Sequence, residues 1–114
     1  MNYGVQRAAV EYFAKSAITP LRFQEILTEN LMRYSDAAND SMLNLLDSHD
    51  TARFLTVSGG DTARLRNAAA FLFTFVGMPC TYYGTEIGMT GENDPDCRKA
   101  FDWDPAHWDV ELRD

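Results

Sequence analysis

Apolar residues recur at helical spacing over Val5 to Lys15, where Val5, Ala8, Ala9, Tyr12 and Phe13 share one face of a 3.6-residue period. A second helix is predicted from Thr19-Pro20, because Thr caps a helix and Pro suits its first turn. Phe23, Ile26, Leu27, Leu31 and Tyr34 mark its apolar face, and Ser35 to Asn39 reads as a polar break. Met42 to Leu46 is different: a short, almost continuous apolar run, as in strands buried on both faces of a parallel sheet. It switches abruptly to Asp47-Ser48-His49-Asp50. After a Gly59-Gly60 loop, Asp61 or Thr62 is expected to cap a third helix carrying Leu65, Ala68, Ala69, Leu72, Phe73 and Val76, with Gly77 placed to end it. Pro79 then opens a second strand, Cys80 to Tyr83. From Gly84 the chain reads as loop, and Trp103 to Asp114 is an acidic, irregular tail with room for a short helix.

The order helix, helix, strand, helix, strand predicts an α/β fold with parallel strands. Two strands do not make a stable parallel sheet alone, so the pattern implies strand edges that something else must cover. The 114 residues suit one domain, and an apolar content of 46% supports a packed core rather than disorder. A net charge of −7 argues against nucleic acid and against an anionic membrane surface, whose affinity comes from Lys and Arg. No apolar run approaches the roughly 18 residues of a membrane span. Cys80 and Cys97 form no CxxC pair, and two free thiols in a reducing compartment are favoured over one bridge.

The candidate chemistry begins at His49-Asp50, just past the C-terminal end of a predicted buried strand, where parallel α/β architectures collect catalytic groups. Taken alone the dipeptide favours a plainer reading, in which Asp50 caps the next turn and His49 bonds to backbone. Its context changes that. The run Asn44-Leu45-Leu46-Asp47-Ser48-His49-Asp50-Thr51-Ala52-Arg53-Phe54-Leu55 resembles the fourth conserved segment of the α-amylase family of glycoside hydrolases, in the spelling of the neopullulanase, cyclomaltodextrinase and maltogenic amylase group. Gly77 to Met89 is similar to that family's segment at the eighth strand, Gly91 to Arg98 to the loop after it, and Met1-Asn2-Tyr3 to the end of its sixth strand. These matches lie in the family's order and touch most of the chain.

The resemblance implies a partial (β/α)8 TIM barrel, with residues 1–114 a C-terminal fragment running from the end of strand 6 through strand 8 and the following loop. A whole barrel takes roughly 250 residues. It implies a retaining α-glucan hydrolase or transglycosylase acting on maltooligosaccharides, cyclodextrins or starch-like glucans. Asp50 would stabilise the transition state through the 2- and 3-hydroxyls of the sugar being cleaved, and His49 would orient the same sugar. Asp94 and Arg98 would bind the next sugars on the non-reducing side. The physical logic agrees: cleavage builds positive charge at the ring, and an anionic acceptor whose hydrogen bonds tighten as the ring flattens favours that state. The family's nucleophile and general acid match no segment here, so the chain alone is expected to be inactive. Ala52 also departs from the group, which often has Glu there. The remaining implied partner is the rest of the barrel; the alternatives are a non-catalytic carbohydrate-binding fragment, with His49, Asp94 and Arg98 as its sugar contacts, or a structural barrel fragment that self-associates through its open edges. The group's habit and the thiols point to the cytoplasm.

Other signals weigh less. Asp50 and Glu86 could pair as acid and nucleophile, about 5 Å apart in a retaining enzyme, but Glu86 matches a structural position of the family. His49, His107, Cys80 and Cys97 have no metal-ligand spacing and Asp94-Pro95-Asp96 lacks a calcium-loop pattern, so no metal and no cofactor are expected. Ser58-Gly59-Gly60-Asp61 is a loop and cap, because Asp61 would repel an anion. Phe71, Phe73 and Phe75 are expected mostly in packing. Trp103 and Trp108 could stack on sugars or pack the tail.

Overall fold

The computed structural model describes residues 1–113. Helix α1 (Tyr3–Ala9) runs on into a π-helical turn, Val10–Ala14. There follow α2 (Pro20–Met32), α3 (Asp36–Asp40), strand β1 (Leu43–Asn44), α4 (Phe54–Val57), α5 (Thr62–Thr74), strand β2 (Met78–Pro79) and, after three single 3-10 turns, α6 (Val110–Arg113). The two strands pair in parallel, Leu43 opposite Met78 and Asn44 opposite Pro79. Strand, helices and strand therefore form the βαβ unit that the pattern predicts.

The strands are shorter than expected, and the second lies earlier. The ladder stops at Asn44 although Leu45 and Leu46 are buried, and it uses Met78–Pro79 instead of Cys80 to Tyr83. The bonds run from Met78 N to the Met42 carbonyl and from Cys80 N to the Asn44 carbonyl, at 2.9 and 2.8 Å. Pro79, which has no N–H, sits between these two donors and costs the ladder nothing. Gly77 does not end α5, which stops at Thr74. Its φ of 109° carries the backbone past Asn44, and an added Cβ would lie 2.7 Å from the Asn44 side chain and from the Met42 carbonyl.

The supposed polar break is a helix. Ser35 caps α3 through its hydroxyl, and the buried Asn39 side chain donates to the carbonyls of Leu31 and Tyr34, tying α3 to the end of α2. That turn ends α2 at Met32 and leaves Tyr34 exposed. Thr19 and Asp61 cap α2 and α5 as their residue types suggest.

The core lies where α1, its π turn, α4 and α5 meet: Ala9, Ala14, Leu46, Phe54, Leu55, Leu65, Ala68 and Leu72 are all buried there. Tyr12 stacks on Phe23 with centroids 4.5 Å apart, and Phe13 and Phe71 meet Phe23 edge-on. Phe73 lies outside this core and is 63% exposed. Arg64 reaches from α5 to the C-terminal end of the π turn, donating to the carbonyls of Phe13 and Ala14 and to the Ser16 hydroxyl. It satisfies carbonyls that a helix end leaves open.

On the far side of β1, Asn2 N donates to the Leu43 carbonyl at 2.7 Å. The Asn2 amide donates to Asn44 Oδ1 while Asn44 Nδ2 donates to the Val76 carbonyl. Gln6 donates to the Leu46 carbonyl. Polar side chains thus close the interior around β1 and fix where its C-terminal end opens. No helix among the described residues is long and apolar enough to cross a membrane.

Candidate active-site face at the strand ends

His49 and Asp50 project from the loop beyond β1, both half exposed, with His49 Nε2 3.2 Å from Asp50 Oδ1. The loop is held by its own hydroxyls: Asp50 N donates to Ser48 Oγ and Ser48 N to Thr51 Oγ1, each at 3.1 Å. Asp50 faces outward as an acceptor. Tyr3, at the start of α1, donates its hydroxyl to Asp50 Oδ2 at 3.1 Å.

The loop after β2 comes to the same place. Arg98 lies in the 3-10 turn Asp96–Arg98 and donates Nε to the His49 carbonyl at 3.0 Å. The same Nε is 2.8 Å from Asp94 Oδ1, and Nη2 is 3.7 Å from Asp50 Oδ1. Beneath it the buried Cys97 thiol donates to the His49 carbonyl at 3.3 Å. The structure therefore brings all four expected site residues, His49, Asp50, Asp94 and Arg98, into one cluster. Each pair is solvent-exposed and worth at most about 1 kcal/mol. The cluster is held by the fold more than it holds the fold.

Its support lies underneath. Arg53 is fully buried, its guanidinium 4.5 and 4.7 Å from the Tyr82 and Tyr83 ring centres, and it donates to the Tyr83 carbonyl. Arg53 N donates to the Gly91 carbonyl at 2.8 Å. Burial and the neighbouring Tyr83 push the Tyr82 phenol up to about 12. Asp47, 3% exposed, accepts from Phe54 N at 2.9 Å and from the Thr85 hydroxyl at 3.0 and 3.1 Å. Burial pushes the Asp47 carboxyl above the usual carboxylate range, against the Phe54 amide, the Thr85 hydroxyl and the Arg53 charge. Sequence reasoning missed Tyr3, Cys97, Asp47, Arg53 and Thr85 as parts of the site. Only the charge of Asp47 and Arg53 inside an apolar stretch could have marked them.

Elsewhere Glu86 is exposed on the 3-10 turn Thr85–Ile87. Cys80 and Cys97 are free thiols. Among the described residues no three His, Cys, Asp or Glu side chains are grouped to hold a metal. In the tail Trp103 is 80% exposed against Phe101, and the Trp108 indole donates to the Asp102 carbonyl. His107 Nδ1 sits 2.9 Å from Asp102 Oδ2, which raises the imidazole above its usual range, while the Asp104 N–H first and His107 second lower the Asp102 carboxyl below its own.

A parallel βαβ unit gathers carboxylates, an imidazole and a guanidinium beyond its strand ends, the place where parallel α/β enzymes collect functional groups. The chain belongs to the α-amylase catalytic domain family, whose model matches residues 1–111. It is 51% identical over 104 residues to a cyclomaltodextrinase of Thermoanaerobacter pseudethanolicus, covering 91% of this chain and 18% of that protein. An intracellular maltogenic amylase of Bacillus subtilis is 47% identical over 104 residues, with the same coverage of 91% and 18%. Among solved structures it superimposes on the cyclic α-maltosyl-(1→6)-maltose hydrolase of Arthrobacter globiformis, bound to that sugar, with a TM-score of 0.95 and 38% identity, over 99% of this chain and 26% of that one. The family is one of glycoside hydrolases, and the chain spans about a fifth to a quarter of the length of these relatives.

Proposed function

We propose that this chain supplies part of the substrate-binding and catalytic face of a retaining α-glucan hydrolase or transglycosylase acting on maltooligosaccharides, cyclodextrins or related glucans. Asp50 stabilises the transition state, His49 orients the sugar being cleaved, and Asp94 and Arg98 bind the next sugar toward the non-reducing end. The convergence of these four side chains around the His49 carbonyl carries the reading, because they come from two loops 44 or more residues apart in sequence. The relatives' named substrates, cyclomaltodextrins and a cyclic maltosyl-maltose, support the substrate class.

Residues 1–114 form a C-terminal fragment of the catalytic barrel, from the end of strand 6 through strand 8. The rest of the barrel is the partner, and it covers the exposed Phe73, Val76 and Met78 beside β2. The nucleophile and general acid come from that partner, so the chain alone does not turn over maltotriose; measurable Asp50-dependent turnover by the pure chain would contradict this. The intracellular relative favours the cytoplasm.

The test is a hybrid in which this chain replaces the matching segment of the Thermoanaerobacter cyclomaltodextrinase. Asp50→Asn in that hybrid should lower kcat at least about a hundredfold, the scale of removing one transition-state partner, with KM little changed. Near-normal kcat would refute the role of Asp50.

A further inference from the structure

Asp47 sits three residues before Asp50, and almost no water reaches it. Burying a carboxylate is costly, and an apolar side chain of similar size would often serve stability as well or better. What an apolar residue could not do is accept two donors from two different segments. One donor, Phe54 N, lies at the far end of the loop that carries His49 and Asp50, so this bond closes the loop on itself. The other, the Thr85 hydroxyl, belongs to the segment after β2, whose continuation bears Asp94 and Arg98. Thr85 is itself 7% exposed and begins a 3-10 turn after Gly84, whose φ of 82° suits glycine. From Asp47 the constraint passes to Ser48, whose hydroxyl accepts from Asp50 N.

We propose that Asp47 and Thr85 are positioning residues: their buried hydrogen bond sets the Asp50 carboxylate in register with the Asp94–Arg98 pair, and so sets the rate of glycoside cleavage without either residue touching substrate. The proposal rests on the reading of Asp50 given above. Asp47→Leu removes the acceptors for both the Phe54 N–H and the Thr85 hydroxyl at similar size, whereas an asparagine amide could still donate to the Thr85 oxygen. Thr85→Val removes the hydroxyl at nearly constant shape, and Thr85→Ser keeps it.

The hybrid enzyme described above tests this with maltotriose as substrate. Thr85→Val and Asp47→Leu should each lower kcat roughly ten- to a hundredfold, the scale of a small misplacement at a reacting centre, with KM within about twofold of the parent. Thr85→Ser should restore kcat. Measured well below each variant's Tm and per folded molecule, an unchanged kcat would overturn the proposal, as would a Thr85→Ser variant as slow as Thr85→Val. Asp50→Asn, run alongside, separates the two readings. If it is inactive while Thr85→Val is normal, only the positioning role fails; if it is active, the assignment of Asp50 fails first. The 114-residue chain gives a second measurement. Thr85→Val should shift the amide signals of Ser48, His49 and Asp50, and Thr85→Ser should not. Unmoved signals in the valine variant would contradict the staple directly.

Discussion

Two regions of this molecule are built on opposite terms. Around Phe23, the rings of Tyr12, Phe13 and Phe71 pack the π turn against α2 and α5 through aromatic contacts. At the strand ends, Asp47, Arg53 and Thr85 are buried polar groups beneath an exposed crown of His49, Asp50, Asp94 and Arg98. The first region gains free energy in proportion to the apolar area it removes from water. The second carries the desolvation cost of a carboxylate and a guanidinium, and in return its bonds are directional. Adhesion comes from one and geometry from the other. Replacements in the two regions should therefore fail in different ways.

The largest effect on stability is expected in the aromatic region. Phe23→Ala should cost about 3 kcal/mol or more of unfolding free energy, read by urea denaturation, because a buried ring leaves a cavity as well as a lost contact. In the hybrid enzyme its kcat per folded molecule should stay near the parent's. A kcat loss matching that of Asp50→Asn would erase the distinction between the regions. Arg64→Ala should follow with about 1 kcal/mol, since it frees the carbonyls of Phe13 and Ala14 to water and does not strand them in the core. No loss of stability there would mean that water satisfies the end of the π turn as well as the guanidinium does.

The smallest effect is a pH dependence in the tail. His107 is raised above its ordinary 6.5 by Asp102, so its contribution is complete below 6.5 and is lost as pH rises through the folded value. Asp102 is lowered below 3.8, so its contribution is present above 3.8 and fades as pH falls through its folded value. The contact is strongest between these limits. Exchange of the Trp108 indole proton, which donates to the Asp102 carbonyl, should quicken from pH 6 to pH 9. His107→Gln should remove the part of that change that exceeds base-catalysed exchange, and a parallel profile in both proteins would contradict the assignment.

Legibility in the sequence divides along the same line. Helices α1, α2 and α5 announce themselves through periodicity, and Thr19 and Asp61 through cap chemistry, while the short α3 and α4 do not. Parallel strand pairing followed from one apolar run and the alternation around it. The second strand was misplaced because the Cys80 to Tyr83 run has strand composition, while its register is set by Gly77 passing close to Asn44, a tertiary contact that no local pattern encodes. Asn39 looked like loop because its amide bonds to carbonyls of α2 that only the fold brings near. The exposed crown was readable through its resemblance to a known segment. The staple beneath it was not, since Asp47 and Thr85 are 38 residues apart and neither has a spacing that marks it.

The most direct test of the central claim is an amide-resolved NMR titration of the 114-residue chain with maltotriose, with Asp50→Asn as its companion. The account expects dispersed signals, with shifts concentrated at His49, Asp50, Asp94 and Arg98 and largely kept in the Asp50 variant, whose loss is in turnover. Dispersed signals that do not move at these four residues, or that move only elsewhere, would contradict a preformed sugar site at the strand ends.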